Sequence, residues 1–256
     1  IRRVKATAYA VVEQLRRGEF SISGTETEFG IGKRYPELIL ELPGGGRYIL
    51  SGRIDRIDSY TSDSGEKFVR VIDYKSKSGS VFDCADIADG KRLQLPLYIA
   101  AIEAAGAAER AAGMYYLPVH EGIIKPSGKE DDFGTRILKE FRLRGACLND
   151  AKLIELGGGE DVQPTARSGW RLSEEQLKGT VSFAVDKARQ TAYKIAKGHA
   201  EAYPLMSKEN KTECEWCDYN SVCGFDATLP CCKYRRASII KKDDFLEEVS
   251  HAQLDR

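Results

Sequence analysis

The stretch VRVIDYKSKSGSV, residues 69–81, ends an apolar, β-branched run on an acid, Asp73, and a base, Lys75. Side chains alternate across a strand, so Asp73 and Lys75 share a face with Val69 and Val71, while Ile72 and Tyr74 point the other way. A second acid, Asp55, closes the apolar part of GRIDRID, residues 52–58. If the two segments pair as an antiparallel hairpin, the carboxylates of Asp55 and Asp73 converge at one sheet end. Two converging carboxylates repel each other unless a cation lies between them, and hard oxygen ligands with open positions suit Mg2+ or Mn2+. A lysine beside such an ion can orient a water and stabilise charge that develops on phosphorus. Taken alone, Asp-x-Lys recurs by chance and reads as a surface salt bridge at a strand end. The set carries more weight: Gly-Arg-Ile-Asp, then Asp-Tyr-Lys 18 positions later, then QLPLY at 94–98. Gln94 and Tyr98 are four apart, so on a helix they share a face that could hold a strand backbone or a base. By themselves the two read as a helix-surface glutamine and a core tyrosine. Gly52 leaves room for backbone or substrate to approach closely.

The elements that must position these groups follow from periodicity. Residues 4–17 carry apolar side chains at helical spacing and stop at Gly18. ELILEL (37–42) and RYILSGRIDRID (47–58) read as strands around the turn PGGG, and FVRVIDYK (68–75) as the partner of the second. Residues 92–105 read as a helix ending at Gly106, with Pro96 in its first turn or two, and GMYYLPVH (113–120) as another strand. Residues 121–168 are weakly patterned and are expected to hold insertions. A long amphipathic helix is expected over 174–197, with Leu177, Val181, Val185, Ala188, Ala192 and Ile195 on one face and Gly198 ending it. The order predicts an α/β fold, a mixed β-sheet flanked by helices over 1–205, with a Cys-rich C-terminal segment over 206–256.

The 256 residues are 42% hydrophobic and 30% charged, which excludes a disordered chain, and the absence of a long apolar run argues against a transmembrane helix. The 39 basic residues balance 39 acidic ones, so net charge does not announce a nucleic-acid partner. The N-terminus lacks a signal-peptide layout and a methionine, as expected of a piece of a longer chain. Of seven cysteines, Cys84 and Cys147 stand apart and five crowd into 214–232. A disulfide framework would be spread more widely, so the pattern points to a reducing, cytoplasmic setting and to a metal. Thiolates spaced as Cys214-x2-Cys217-x5-Cys223 can ligate one soft metal centre, and Cys231 or Cys232 could close a local zinc site or end the chain as free thiols.

In combination, GRIDRID, VIDYKS and LQLPLY resemble the RecB-type branch of the PD-(D/E)XK nuclease superfamily. More narrowly, they resemble the C-terminal nuclease domain of B subunits in AddAB-type helicase–nucleases, as do KATAYAVVEQLRRGEF, TEFG and CEWCDYNSVCGFD. The resemblance implies a restriction-endonuclease-like core with Asp55 and Asp73 on Mg2+ (or Mn2+). It makes Lys75 the catalytic lysine and Gln94 and Tyr98 its supporting motif. Ile54 stands where the superfamily's name-giving proline would be, as is usual in this branch. The implied activity is DNA exonuclease cleavage during end resection for recombinational repair, with DNA and a helicase–nuclease A subunit as partners and no membrane. Cys214, Cys217 and Cys223 would join a distant N-terminal cysteine around a 4Fe–4S cluster. Two departures stand out. Relatives of this kind take a further metal ligand from an upstream histidine, yet His120, His199 and His251 all follow Asp55. Residues 1–83 hold no cysteine. This chain by itself is therefore expected to be a weak nuclease with an incomplete cluster. Glu28 could stand in for the histidine, though it also reads as a strand-end surface acid. Rival readings are a stand-alone nuclease of the same superfamily and a non-catalytic DNA-binding or docking module; the intact Asp…Asp-x-Lys set weighs against the latter. Arg and Lys clusters near both ends read as solvated faces and receive no DNA contact.

Overall fold

The computed structural model describes residues 2–76, 82–106, 109–119, 133–167 and 170–254. The helical spacing of the first segment forms α1 (Arg2–Arg16). β1 (Ser21–Phe29) follows, a strand the sequence does not announce because it is polar on both faces. It is tolerated as the edge strand of the sheet, paired along its length with its neighbour and carrying Glu26 and Glu28. β2 (Leu38–Glu41) and β3 (Arg47–Leu50) form a separate hairpin, turned at Gly44 and Gly45 with φ of 91° and 88°. β4 (Gly52–Thr61) and β5 (Lys67–Lys75) pair antiparallel as expected. α2 (Cys84–Ala88) and α3 (Gln94–Glu103) then cross over to β6 (Glu109–Pro118), parallel to β5. His120 lies outside the described residues.

The region read as insertions is instead structural over its described part. It contains α4 (Phe133–Glu140), β7 (Arg144–Leu148), α5 (Ala151–Leu156) and α6 (Gly159–Val162), and β8 (Trp170–Leu172) follows it. These strands are short, and a brief apolar run carries no period that separates strand from helix. α7 (Glu174–Ala196) opens on a capping box between Ser173 and Gln176. The Cys-rich stretch holds β9 (Leu205–Met206), a 3-10 turn over Glu213–Trp216, α8 (Asn220–Cys223) and β10 (Arg235–Arg236), and α9 (Lys242–Leu254) follows.

The six-stranded sheet runs β1-β4-β5-β6-β7-β8, with β5–β6 and β7–β8 parallel and the other pairs antiparallel. On one face, Val69, Val71, Tyr116, Ala146 and Leu172 pack beneath Leu95 and Ile99 of α3 and Leu177 and Val181 of α7. α9 joins that layer through Phe245 and Val249; Gly179 permits the contact, since a Cβ there would strike the Val249 carbonyl. On the other face, Ile72, Tyr115 and Cys147 pack beneath Ala10 of α1 and Ile137, Leu138 and Phe141 of α4. Ile195, expected on the buried face of α7, is 58% exposed, because burial of that helix stops at Ala192. Among the described residues no helix is long and apolar enough to cross a membrane.

Candidate active site

The β4–β5 ladder ends at Arg56 opposite Ile72, and the same register sets Asp55 opposite Asp73. There the backbone pairing gives way to a side chain, since the Tyr74 amide donates to Asp55 Oδ2 at 3.0 Å. That bond turns the Asp55 carboxylate toward β5. Asp73 is 2% exposed. Its Oδ2 lies 2.6 Å from Lys75 Nζ as an ion pair and has no aligned hydrogen-bond partner among the described residues. Lys75 Nζ also donates to Gln94 Oε1 at 3.0 Å, and Gln94 Nε2 donates to the Tyr98 hydroxyl at 2.6 Å. The i,i+4 face of α3 thus reaches the strand end as a relay that holds Lys75 in place. The Tyr116 ring lies beneath Lys75, with Nζ 5.4 Å from its centroid.

Gly52 has a different neighbour from the one expected. The Phe29 ring crosses it, 2.8 Å from where a Cβ would stand, and meets Tyr98 edge-on with centroids 6.1 Å apart. An aromatic side chain takes that space and packs the tyrosine at the end of the relay. Glu28 is exposed and ion-paired to Lys33, which holds its carboxyl below the usual range.

The electrostatics match the burial. Asp73 titrates above the usual carboxylate range, first because burial penalises its charge; Lys75 pulls it down and Asp55 pushes it up. Tyr98 is raised by burial, with the Gln94 bond opposing and both carboxylates adding to the rise, so it stays protonated at neutral pH. Burial raises Tyr116 to about 12, against the pull of Arg92.

The five residues singled out by spacing, Asp55, Asp73, Lys75, Gln94 and Tyr98, therefore meet at one sheet end. The three cysteines do not meet at one point. Cys214 and Cys223 line a shallow hollow with Tyr203, Pro204 and Phe225, and Cys217 is not part of that lining. Cys231 and Cys232 bring their sulfurs within 3.9 Å of each other. Among the described residues no group of three or more His, Cys, Asp or Glu side chains is placed to hold a metal ion. Spacing did not single out Arg92. It is ion-paired to Asp86 at 2.6 Å and sits 5.9 Å over the same Tyr116 ring as Lys75. Its sequence signal is its place two residues before Gln94.

The sequence has relatives among known proteins. A family profile for the PD-(D/E)XK nuclease superfamily matches residues 2–224. The B subunit of the ATP-dependent helicase/deoxyribonuclease of Moorella thermoacetica is 35% identical over 252 residues, covering 90% of this chain and 22% of its own length. The protein of the same name from Acetivibrio thermocellus is 30% identical over 250 residues, 90% of this chain and 22% of its own. That from Alkaliphilus metalliredigens is 26% identical over 264 residues, 96% and 23%. The chain thus spans 22 to 23% of the length of these curated relatives.

Proposed function

The chain belongs to the PD-(D/E)XK nuclease superfamily, and from that premise we propose that it is a divalent-metal-dependent DNA exonuclease domain. In this reading it works within a cytoplasmic helicase–nuclease, beside a partner A subunit, in end resection for recombinational repair. The observation that carries the reading is the meeting of Asp55, Asp73 and Lys75 at the end of the β4–β5 pair. The names of the relatives, B subunits of a helicase/deoxyribonuclease, support the partner and the substrate.

Asp55 and Asp73 would hold Mg2+ or Mn2+. The fit rests on Asp73 Oδ2, a buried oxygen without an aligned hydrogen bond, beside a second carboxylate that raises its proton affinity. One or two carboxylates, with water completing the shell, suit Mg2+. When bound, the ion supplies an acidified water and polarises a phosphoryl oxygen. Lys75 places a fixed positive charge where the phosphoryl oxygens gain charge. Gln94 holds Lys75, and Tyr98 holds Gln94 while keeping its own proton available to donate. Gln94→Ala should therefore lower kcat by about 10–100-fold, as loss of an orienting partner does. The melting temperature should stay unchanged; equal activity in variant and parent would remove Gln94 from the mechanism.

The reading is tested by incubating linear DNA with the chain in Mg2+, in Mn2+ and in chelator. Metal-dependent release of nucleotides is expected, and cleavage that persists in chelator would overturn it. Cys214, Cys217 and Cys223 are proposed as 4Fe–4S ligands of the longer protein, but as arranged here they do not fit a cluster, which requires four protein ligands. Iron and sulfide analysis of this chain, purified without oxygen, should find well under about four irons per chain. A brown sample with the full complement would mean that a residue of this chain supplies the fourth ligand.

A further inference from the structure

The crossover from β5 to β6 brings a second cation to the end of the sheet where the acids meet. The chain turns out of α2 at Gly90, with φ of 80°, and the Asp86 carbonyl then accepts from the amides of Lys91 at 2.8 Å and Arg92 at 3.4 Å. The Asp86 carboxylate pairs with Arg92 Nε at 2.6 Å. One corner thus holds Arg92 by backbone and by side chain, two residues before Gln94, which holds Lys75. In register, Asp55 lies opposite Asp73, Asp73 beside Tyr116, and Tyr116 opposite Arg144. Arg144 is two strand spacings from Asp73, about 10 Å between Cα atoms. Arg92 comes nearer, over the ring next to Asp73: Lys75 Nζ and Arg92 Cζ stand 5.4 and 5.9 Å from the same Tyr116 centroid. After burial, the charges that act most on the Tyr116 hydroxyl are Arg92, which lowers its pKa, and Asp73, which raises it. The side chains of Lys75 and Arg92 are 32% and 31% exposed, so a substrate can reach both.

An ion pair as exposed as Asp86–Arg92 adds little to stability, so the fold itself has small use for it. Two cations over one ring repel each other, and each is held there by an acid of its own, Lys75 by Asp73 and Arg92 by Asp86. An anion bound between the two cations relieves that repulsion. Charge balance at phosphorus asks for both. Two carboxylates neutralise one divalent cation, which leaves Lys75 as a single positive charge. A phosphodiester carries one negative charge. In hydrolysis, water loses a proton to solvent as its oxygen bonds to phosphorus, and the leaving sugar oxygen gains one from solvent as its bond breaks; between the two, the phosphoryl group carries two negative charges. We propose that Arg92 binds the scissile phosphodiester beside Lys75 and that Asp86 aims it. The planar guanidinium fork then meets the second charge as it develops. Asp86 acts through Arg92 and is a positioning residue. This role rests on the nuclease reading and adds to it a second phosphate-binding cation.

Arg92→Ala should lower kcat for Mg2+-dependent cleavage of linear DNA by about 100-fold and change KM by about threefold or less, because the charge it meets develops in the transition state. Arg92→Lys should recover part of that loss, since the charge returns without the fork. Asp86→Asn should cost about tenfold, with Arg92 still present but no longer aimed. A merely structural Arg92 would move other quantities: the melting temperature, and its rise on adding Mn2+, which depends on Asp55 and Asp73. Both should stay at parental values in Arg92→Ala, whereas Asp73→Ala should lose the metal-induced rise. The role is overturned if Arg92→Ala cuts at the parental rate, if it loses the metal-induced rise, or if Arg92→Lys is no more active than Arg92→Ala. Faster cleavage by Asp86→Asn would mean that Asp86 restrains Arg92 rather than aims it, and would overturn the positioning. A parent chain with no Mg2+-dependent cleavage sinks the nuclease reading and Arg92 with it; a parent that cuts DNA, beside an Arg92→Ala variant that cuts equally well, sinks Arg92 alone.

Discussion

Asp73→Ala should abolish metal-dependent DNA cleavage, by about 1,000-fold or more, and leave the chain as stable as before or slightly more so. The carboxylate is 2% exposed, and burial is the first cause of its raised pKa. The sign follows from linkage. A carboxyl whose pKa is raised on folding binds its proton more tightly in the folded chain than in the unfolded one. Its charged form therefore costs stability at neutral pH, and that cost disappears as pH falls through the raised pKa. Removing the carboxylate relieves the cost at neutral pH, though it also deprives Lys75 of its partner at 2.6 Å. Mg2+ or Mn2+ should raise the melting temperature of the parent, since a ligand that binds only the folded state stabilises it, and should leave Asp73→Ala unmoved. Melting curves with and without metal, beside DNA digestion, check both halves. A variant that digests DNA at the parental rate would reduce Asp73 to a structural role.

Asp58→Ala should act the opposite way, on the fold. Asp58 is fully buried and accepts from Arg56 Nε and Nη2 at 2.6 and 2.8 Å and from Arg70 Nε at 2.9 Å. Arg70 continues to the Gly157 carbonyl at 3.2 Å, which ties the hairpin to the corner between α5 and α6. Removing the acid leaves two buried guanidinium groups with no counter-charge, a loss of about 3–5 kcal/mol. Against a total stability of about 5–15 kcal/mol, the chain should become largely insoluble or unfold at far lower urea. Asp55→Ala, in the same strand, removes a partly exposed acid and should cost about 1 kcal/mol or less while removing activity. Urea titrations of both variants decide the matter: if Asp58→Ala unfolds at the parental midpoint, the ion triad contributes nothing to stability.

The contrast between these acids shows how far the sequence reaches. GRIDRID holds two Ile-Asp pairs that look alike, and nothing local says that Asp55 accepts from the Tyr74 amide at the sheet end while Asp58 is sealed between arginines. The hairpin, the shared face of Asp73 and Lys75, and the shared face of Gln94 and Tyr98 were all legible, because each rests on a period of 2 or about 3.6 within one element. That Gln94 bonds Lys75 was not, since it depends on how α3 lies across β5.

Local pattern is thus written in the chain itself: which long segments are strands or helices, which residues share a face, and which superfamily the motifs resemble. Which residues meet across strands is set by packing. Edge strand β1 and short β7 and β8 are stabilised by neighbours distant in sequence, so their own residues carry weak signals. The row from Asp55 through Asp73 and Tyr116 to Arg144 spans four strands, and no spacing along the chain encodes it. A one-residue slip in any of those pairings would turn Arg144 to the opposite face, and the register that prevents it is held by the packing of the whole sheet between its two helical layers.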